Sequence, residues 1–301
     1  MSYKLNYISR LFQRASKKRT EHYVISRIWH LLDNYDLKMV PQQYVSRGKT
    51  NYALTDIYFP QLSIHVEVNE PAHYDNENKI NKDDKRNTEI ETKTGHKVFV
   101  IDCRQNLEGI HSQISKLIEA INFEANRQKT NQTFKPWRPE NEHNPTYWKN
   151  KGSFSISDEV SLRTIEDICI LFNVDPKKTK RGYLRKGGIK HPVFQSLTIW
   201  WPSEGQRSGW KNNYDEINGV ITETHSDPEK KIGHLNSLKK VLETRVVFFH
   251  YKDILGLKNY KFVGVFINDH SRSNAIIGTV WTKIGDNFNL INSEFKLNEK
   301  N

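Results

Sequence analysis

Two carboxylates and an amide recur at short spacing in one stretch of this chain. Asp56 is followed eleven positions later by Glu67, and Asn69 lies two positions further on. The stretch is typical of two short strands separated at Pro60-Gln61, and a hairpin of that length brings Asp56 and Glu67 close together. Two carboxylates so placed can hold Mg²⁺ through oxygen ligands while water fills the remaining positions. Because such an ion activates water, the pair predicts phosphodiester hydrolysis with Mg²⁺ or Mn²⁺ as the cofactor.

Strand periodicity indicates which other side chains share this site. From Leu62 the second strand alternates strictly, and one of its faces carries the polar residues Ser63, His65, Glu67 and Asn69. His73 follows Pro71, which ends the strand, and loops often carry functional residues. The alternative is that these groups are satisfied polar side chains on an edge strand.

The helix before these strands, predicted from about Thr20 to Asn34, supplies a further acid. Glu21 lies on the same face as the apolar residues that recur at helical spacing, which are Ile25, Ile28, Trp29 and Leu32. A carboxylate on an apolar stripe is costly unless it is paired or bound to a metal. Glu21 is therefore a candidate for the same site, although the helix dipole also favours an acid in the first turn.

The elements that follow predict an α/β domain over residues 1–127. A helix over 83–94 lies between the second strand and a buried strand at 97–102, which forms a βαβ unit with a parallel pair. A last helix, from about Leu107 to Arg127, covers the sheet. Residues 128–150 contain three prolines, many amides and no apolar period, which predicts a linker.

Residues 151–301 predict a second domain of β structure. Several short alternating strands between turn residues favour a barrel or a sandwich. The fold class is therefore α+β, with a mixed-sheet α/β domain joined to a β barrel. The net charge of +11 favours a polyanionic partner, although a soluble protein can also simply be basic. The residues that we assign to contacts with the DNA backbone lie in one basic loop: Lys180, Arg181, Arg185 and Lys186.

A segment of the second domain is dense in tryptophan and amides. Trp200, Trp201 and Trp210 are followed closely by Asn212 and Asn213. Aromatic rings beside amides suit a nucleobase that is held between rings and hydrogen-bonded along its edge. The alternative is a tryptophan-rich core.

The remaining features exclude several classes of protein. The two cysteines, Cys103 and Cys169, lie far apart, so a disulfide framework or a structural zinc site is not expected. The N-terminus has no apolar signal region, and no run of about 18 apolar residues occurs. These features predict a cytoplasmic protein without a membrane partner.

The order of polar residues in the first domain resembles the PD-(D/E)xK nuclease superfamily, and its Vsr-like branch in particular. The resemblance covers roughly residues 20–105 and is carried by Asp56, Glu67-x-Asn69, His73, Asp83, Arg86 and Gly95-His-Lys-Val-Phe-Val. It implies that Asp56 and Glu67 are metal ligands and that Glu21 is the helix acid. It also implies that His73 contacts phosphate or water, and that Asp83 and Arg86 brace the site.

One position departs from the nuclease pattern. Asn69 stands where these enzymes carry a lysine, and an amide cannot lower the pKa of a water as an ammonium does. The general base is therefore open among His73, His65, Lys79, Glu21 and the metal alone.

The segment Gly209–Asp215, with Val220–Thr224, resembles the pocket of the SRA (SET- and RING-associated) domain. The resemblance covers roughly residues 153–291 and implies a curved β barrel that flips a modified cytosine out of duplex DNA. Trp210 would then form a pocket wall, with Trp200 or Trp201 as a second stacking face. Asn212 and Asn213 would contact the cytosine edge, and Glu223 or Thr224 would stand at the position of the family's tyrosine. Such a polar pocket suits a hydroxymethyl group, bare or glucosylated, better than a methyl group.

A Vsr-like nuclease followed by an SRA-like domain is the arrangement of modification-dependent restriction endonucleases of the AbaSI type, and the resemblance runs along nearly the whole chain. It implies a homodimer that cleaves both strands of DNA at a distance from 5-hydroxymethylcytosine or its glucosylated form. One alternative is a non-catalytic reader of modified DNA with a degenerate nuclease fold, which Asn69 favours. Another is a mismatch-nicking repair enzyme, which leaves the second domain unexplained.

Overall fold

The chain divides into two compact units. The first comprises Met1–Glu140 and Ile254–Gly256, and the second comprises Asn141–Asp253 and Leu257–Asn301. Helices and sheets are both present, so the predicted α+β class is confirmed. The computed structural model describes residues 3–15, 19–48, 51–70, 77–175, 187–194, 196–205, 208–239 and 241–290. Within these ranges, no helix is both long enough and apolar enough to cross a membrane.

The described part of the first unit is built from helices and one sheet. Its helices are α1 Tyr3–Ala15, α2 Arg19–Leu32, α3 Glu77–Thr94 and α4 Leu107–Thr130. Its strands are β1 Val40–Ser46, β2 Tyr52–Phe59, β3 Ile64–Asn69 and β4 Lys97–Asp102, which lie side by side in that order. The aliphatic residues of β2 and β3 pack with those of α2 and α4 in one core, so the helices fix the sheet that carries the acids.

The sheet is mixed, as the sequence predicts. β2 and β3 form an antiparallel hairpin, and β3 pairs in parallel with β4 after the α3 crossover. The hairpin turn is a 3₁₀ turn over Pro60–Leu62, and Ser63 ends it in the left-handed region, with φ 54°. Leu62 therefore belongs to the turn, and the alternation of the second strand begins only at Ile64.

The stretch 128–150 has more structure than the predicted linker. Helix α4 continues to Thr130, because its apolar stripe extends to the buried Ala125. Trp137 is buried and its backbone N–H donates to the carbonyl of Asp36. A further helix, α5 Pro145–Lys151, starts at an Asn144 cap with proline in its first turn. The domain boundaries themselves stay a prediction.

The described part of the second unit is dominated by strands. Besides α5 it has the helices α6 Ile165–Leu171 and α7 Pro228–Leu238. Its strands are β5 Ser153–Ser155, β6 Ser161–Leu162, β7 Gly188–Lys190, β8 Leu197–Trp200, β9 Trp210–Asp215, β10 Val220–His225, β11 Thr244–Lys252, β12 Lys258–Asn268, β13 Thr279–Gly285 and β14 Asn287–Asn289. Eight of them form one sheet in the order β9-β10-β13-β12-β11-β8-β7, with β6 beside β12, and β14 pairs with β5.

The large sheet differs from the closed barrel that the sequence predicts. Among the described residues its ladder is an open path, because β9 and β7 at its two ends are not paired with each other. Two single-residue bridges, Ser203 with His250 and Glu204 with Asn212, nevertheless connect β11 to β9. The sheet therefore curls, and this brings residues of β9, β10, β11 and β13 into one polar cluster.

Candidate active site and candidate base pocket

The first cluster forms where β2 and β3 separate. Their ladder ends at the pair Ile57 and Val66. Beyond that pair, Oδ2 of Asp56 accepts a hydrogen bond from the backbone N–H of Val68 at 2.8 Å. The carboxylate therefore takes the place of a strand partner, and it lies against the residue that follows Glu67. This brings the two predicted metal ligands to the same fork in the sheet.

Glu21 joins this cluster through an amide. Nε2 of Gln42, on β1, donates to Oε1 of Glu21 at 2.8 Å and to Oδ1 of Asp56 at 2.9 Å. Glu21 and Asp56 are both buried, with exposed fractions of 3% and 8%. The helix acid thus reaches the site that the sequence predicts for it, with Gln42 between the two carboxylates.

Glu67 is held from the crossover helix. Nη2 of Arg86, on α3, lies 3.1 Å from Oε2 of Glu67, whose side chain is only 3% exposed. Arg86 therefore braces the acid, as the resemblance implies. Asn69 ends β3 and is buried beside these groups. His73 and the side chains of Lys79 and Asp83 lie outside the described residues, so the roles that the sequence predicts for them stay predictions.

His65 lies on β3 but is engaged elsewhere. Its Nδ1 is 2.9 Å from Oγ1 of Thr55, its Nε2 is 3.0 Å from Nδ1 of His96, and its ring stacks on Tyr58. Complete burial, and secondarily the neighbouring His96, lower the pKa of His65 to about 3. A neutral imidazole with both nitrogens occupied cannot take a proton from water near neutral pH, so His65 supports the sheet instead.

The donors at the fork suit a hard cation. No group of three or more His, Cys, Asp or Glu side chains in the described ranges could hold a metal by itself. Mg²⁺ commonly needs only one or two carboxylates, because it keeps several of its waters. Asp56 and Glu67 supply those carboxylates, and their oxygen donors favour Mg²⁺ or Mn²⁺ over softer metals. The residues present therefore fit the predicted ion.

The second cluster is a row of polar side chains across three strands of the large sheet. Asn212 on β9 lies opposite Glu223 on β10, and Glu223 lies opposite Thr279 on β13. Directly opposed residues share a face of the sheet. Nδ2 of Asn212 donates to the carbonyl of Ser203 at 3.3 Å. Among the described residues, Oδ1 of Asn212 and Oγ1 of Thr279 are buried without a hydrogen-bond partner, which points to a polar ligand.

Glu223 is the charged centre of this cluster. Its Oε2 accepts from Nε2 of His234 at 3.0 Å and from the indole N–H of Trp281 at 3.3 Å, and Nη1 of Arg245 lies 3.5 Å away. Burial alone raises the pKa of the Glu223 carboxyl, but the His234 hydrogen bond and the Arg245 charge lower it overall. Glu223 is therefore an ionised acceptor in a buried position.

Aromatic rings lie against Arg245, the ion-pair partner of Glu223. The guanidinium of Arg245 lies 3.7 Å from the ring centroid of Trp281 and 4.5 Å from that of Trp200. Rings at such distances attract a cation through their quadrupole. Trp210 is half-buried and meets the rings of His225 and His234 edge-on, each at 4.8 Å. Gly209 has φ 85°, and a Cβ there would lie 2.5 Å from Nε2 of His225, so the close approach requires glycine.

Comparisons with known proteins match both units. Residues 5–145 match the family described as restriction endonuclease PvuRts1 I-like, N-terminal, and residues 147–290 match the SET and RING associated domain. The solved structure titled "The 5-Hydroxymethylcytosine-Specific Restriction Enzyme AbaSI" is 33% identical, with 95% of this chain and 97% of that chain covered and a TM-score of 0.64. The chain belongs to the AbaSI-type modification-dependent restriction endonucleases. At this identity it is a relative of AbaSI and not AbaSI itself.

Two further comparisons add no argument. The DNA recognition domain of the cytosine modification-dependent restriction endonuclease LpnPI matches 41% of this chain and 70% of that chain, at 10% identity and a TM-score of 0.25. A comparison with curated protein sequences gave no match.

Some pocket residues predicted for this AbaSI-type enzyme lie elsewhere in the structure. Adjacent strand residues point to opposite faces, so Trp200 and Trp201 enter different cores, and Trp201 lies away from the cluster. For the same reason Asn213 faces away from Asn212, and it is exposed. Trp200, Trp210, Asn212 and Glu223 are brought together. The assignments of Lys180, Arg181, Arg185 and Lys186 lie outside the described residues.

Sequence reasoning missed several residues of both clusters. Gln42, His234, Arg245 and Trp281 were not candidates, although each contacts a residue that was. His234 lies on α7, which follows β10 directly in the chain, whereas Arg245 lies on β11, which the curl of the large sheet brings close. The one available signal was Arg245 itself, a charged residue directly before the apolar run Val246–Phe249.

Proposed function

We propose that this protein is a divalent-metal-dependent endonuclease that cuts double-stranded DNA at a distance from a modified cytosine. The modified base is 5-hydroxymethylcytosine or its glucosylated form. The observation that carries the proposal is the pairing of two clusters in one AbaSI-type chain. Acids converge at the fork of the first sheet, and a polar row beside Trp210 lines the second sheet. AbaSI, a restriction enzyme described as 5-hydroxymethylcytosine-specific, is similar over 95% of the chain.

Asp56 and Glu67 would hold the ion, which is Mg²⁺ or Mn²⁺. When bound, such an ion lowers the pKa of its water and stabilises the charge that develops on the phosphate. The chain's own residues prepare the site. The N–H of Val68 orients Asp56, and Arg86 orients Glu67.

Asn69 stands beside these acids as a neutral residue. An amide can orient a water by hydrogen bonding, but it has no proton to exchange at neutral pH. His65 is buried with both ring nitrogens engaged. Neither residue therefore acts as the general base. Neither residue adds a charge beside the acids.

The second cluster would receive the modified base after it leaves the DNA stack. Cytosine presents an N4 amino donor on its edge. The buried Oδ1 of Asn212 and the ionised Glu223 are acceptors on one face of the sheet. Trp210, which is half-buried, offers a ring for stacking. Base flipping is therefore the recognition step that this arrangement supports.

Cleavage of both strands calls for two acid clusters. The sequence predicts one such pair in each chain, Asp56 and Glu67, and one hydrolytic site cuts one strand. We therefore propose that the enzyme acts as a homodimer. Sedimentation on hydroxymethylated duplex DNA should give a complex with two chains, and a single-chain complex that makes double-strand breaks would contradict this.

We also propose that the enzyme works in a reducing cytoplasm on DNA. Both cysteines, Cys103 and Cys169, are free and buried. Burial is the main reason that the pKa of each thiol is raised to about 11. Thiols in that state are poor nucleophiles and suit a structural role. Unchanged activity under strong reductant is the expected result.

A second candidate is a non-catalytic reader of modified DNA, which Asn69 in the lysine position favours. The test digests four matched duplexes that carry cytosine, 5-methylcytosine, 5-hydroxymethylcytosine or glucosylated 5-hydroxymethylcytosine, with Mg²⁺ or with EDTA. The endonuclease should give fragments only from the last two duplexes, and only with Mg²⁺. Binding without fragments under Mg²⁺ and Mn²⁺ would favour the reader.

A further inference from the structure

We infer that Gln42 is a positioning residue of the metal site, because it fixes the two carboxylates of Glu21 and Asp56 against each other. This inference rests on the proposed function. The carboxamide nitrogen of Gln42 has two N–H donors, and it uses one on each acid, at 2.8 and 2.9 Å. A single neutral side chain therefore joins helix α2 to strand β2 at the point where the acids converge.

The backbone of Gln42 supports a functional role. Its φ is 51°, in the left-handed region, where a residue with a Cβ is disfavoured. Among the described non-glycine residues with positive φ, Gln42 is the one that lies inside a strand. The others lie in turns or next to helix ends. Because the surrounding structure must hold such a conformation in place, strained backbone of this kind often marks a functional site.

The register shows what this conformation achieves. Pro41 pairs with Ile57 and Gln43 pairs with Thr55, so Gln42 lies between those pairs and opposite Asp56. Gln42 itself makes no ladder pair, and its side chain is directed to the carboxylates instead. Val68 holds one oxygen of Asp56 and Gln42 holds the other. The plane of the carboxylate is thereby fixed at both oxygens, which leaves its remaining lone pairs in one orientation for a cation.

A bridging amide also changes the local charge. Two buried carboxylates repel each other unless donors or cations lie between them. The N–H groups of Gln42 fill that position without adding a positive charge. The cluster therefore keeps its negative potential for a divalent ion. Hydrogen-bond partners of metal ligands commonly contribute about 10–100-fold to metal affinity.

The test measures Mn²⁺ binding to the full chain by electron paramagnetic resonance, and thermal unfolding without metal. Gln42→Gly removes the amide and accepts the left-handed backbone, so this variant should fold. Gln42→Asn also tolerates that backbone, but it is one methylene shorter and cannot reach both acids. The matched control is Gln132→Gly, because Gln132 has φ 58° and is exposed at the end of α4.

Both Gln42 variants should bind Mn²⁺ about 10–100-fold more weakly than the wild type, and Gln132→Gly should bind as the wild type does. Without metal, Gln42→Gly should unfold at a lower temperature than Gln132→Gly, although both relieve the same backbone strain. Asp56→Asn distinguishes a failure of the Gln42 role from a failure of the metal site itself. If Asp56→Asn loses Mn²⁺ but both Gln42 variants keep wild-type affinity, the role of Gln42 is overturned alone. If Asp56→Asn binds Mn²⁺ normally, the proposed metal site fails, and the inference fails with it.

Discussion

The two polar clusters differ in how their charge is balanced. At the fork of the first sheet, the neutral Gln42 donates to Glu21 and Asp56, and Arg86 pairs with Glu67. In the second sheet, Glu223 and Glu243 both lie within 3.5 Å of Arg245, and Lys190 lies 3.6 Å from Glu243. The first cluster therefore has a neutral donor between two of its acids, whereas both acids of the second cluster lie beside an arginine.

This difference indicates what each cluster can bind. Carboxylates held by a neutral donor suit a divalent cation. A neutralised cluster with buried acceptors, beside a half-buried ring, suits an uncharged ligand such as a nucleobase. Glu223 already has three donors in His234, Trp281 and Arg245, so it offers little to a metal. The assignment of chemistry to one unit and recognition to the other follows from this contrast.

The largest effect should come from neutralising an acid at the fork. Glu67→Gln should lower the cleavage rate on the order of 10³-fold or more, because several kcal/mol of transition-state stabilisation depend on the ion. Single-turnover cleavage of hydroxymethylated duplex measures this. Glu89→Gln is the matched control, since Glu89 also pairs with an arginine but is 31% exposed. Equal rates for the two variants would remove Glu67 from the site.

The next effect concerns the stability of the second unit. Arg245→Met should lower its free energy of unfolding by about 3–5 kcal/mol, because Glu223 is left as a buried charge without its partner. Urea denaturation followed by tryptophan fluorescence reports on this unit, which holds Trp148, Trp200, Trp201, Trp210 and Trp281. Arg127→Met, in the first unit, removes an ion-paired arginine whose side chain is 57% exposed, and it should change stability by less than about 1 kcal/mol. An equally small loss of stability in Arg245→Met would mean that Arg245 does not stabilise the buried charge of Glu223.

Recognition of the modified base should depend on Asn212 in the polar row of the second sheet. Asn212→Ala should reduce the preference for modified over unmodified DNA by about 1–3 kcal/mol, roughly 5- to 150-fold, because a contact to the base edge is lost. Fluorescence anisotropy with matched duplexes measures the two affinities. Asn213→Ala is the control, since this neighbour is exposed on the other face of β9. If both variants discriminate as the wild type does, the pocket is elsewhere.

The smallest effect should appear in the pH dependence of stability. The folded pKa of the Glu223 carboxyl lies below its ordinary value of 4.5. The ionised carboxylate therefore stabilises the fold above the unfolded pKa, and this contribution is lost as the pH falls through the folded value. The difference in unfolding free energy between wild type and Glu223→Gln should shrink as the pH falls from 7 to below 4.5. A difference that grows on acidification would contradict this sign.

Local patterns were enough to predict much of the first unit. The helical spacing from Ile25 to Leu32 indicated α2, and the apolar strand at 97–102 indicated the parallel pair. Asp56 and Glu67 could be paired because a hairpin joins neighbours in the sequence. Gln42 could not be found in this way. Its contact with Glu21 depends on how α2 packs against the sheet, and its left-handed backbone has no signature in the residue type.

The second unit shows where sequence reasoning ends. Residue types indicated Trp210 and Asn212, and the SRA resemblance added Glu223 or Thr224. The hairpin of β9 and β10 places Asn212 opposite Glu223. Alternation along a strand should also have separated Trp200 from Trp201. Arg245 is different, because β11 reaches Glu223 only through the curl of the whole sheet. Such long-range register is set by packing, which no short pattern encodes.

The most direct test of the two-site assignment compares Asp56→Asn and Asn212→Ala on one pair of duplexes. Binding and Mg²⁺-dependent cleavage are measured for each variant on DNA with 5-hydroxymethylcytosine and with cytosine. We predict that Asp56→Asn keeps the wild-type binding preference and makes no cuts. Asn212→Ala should lose the preference and still cut at high enzyme concentration. Cleavage by Asp56→Asn, or full discrimination by Asn212→Ala, would contradict the division of chemistry and recognition between the two units.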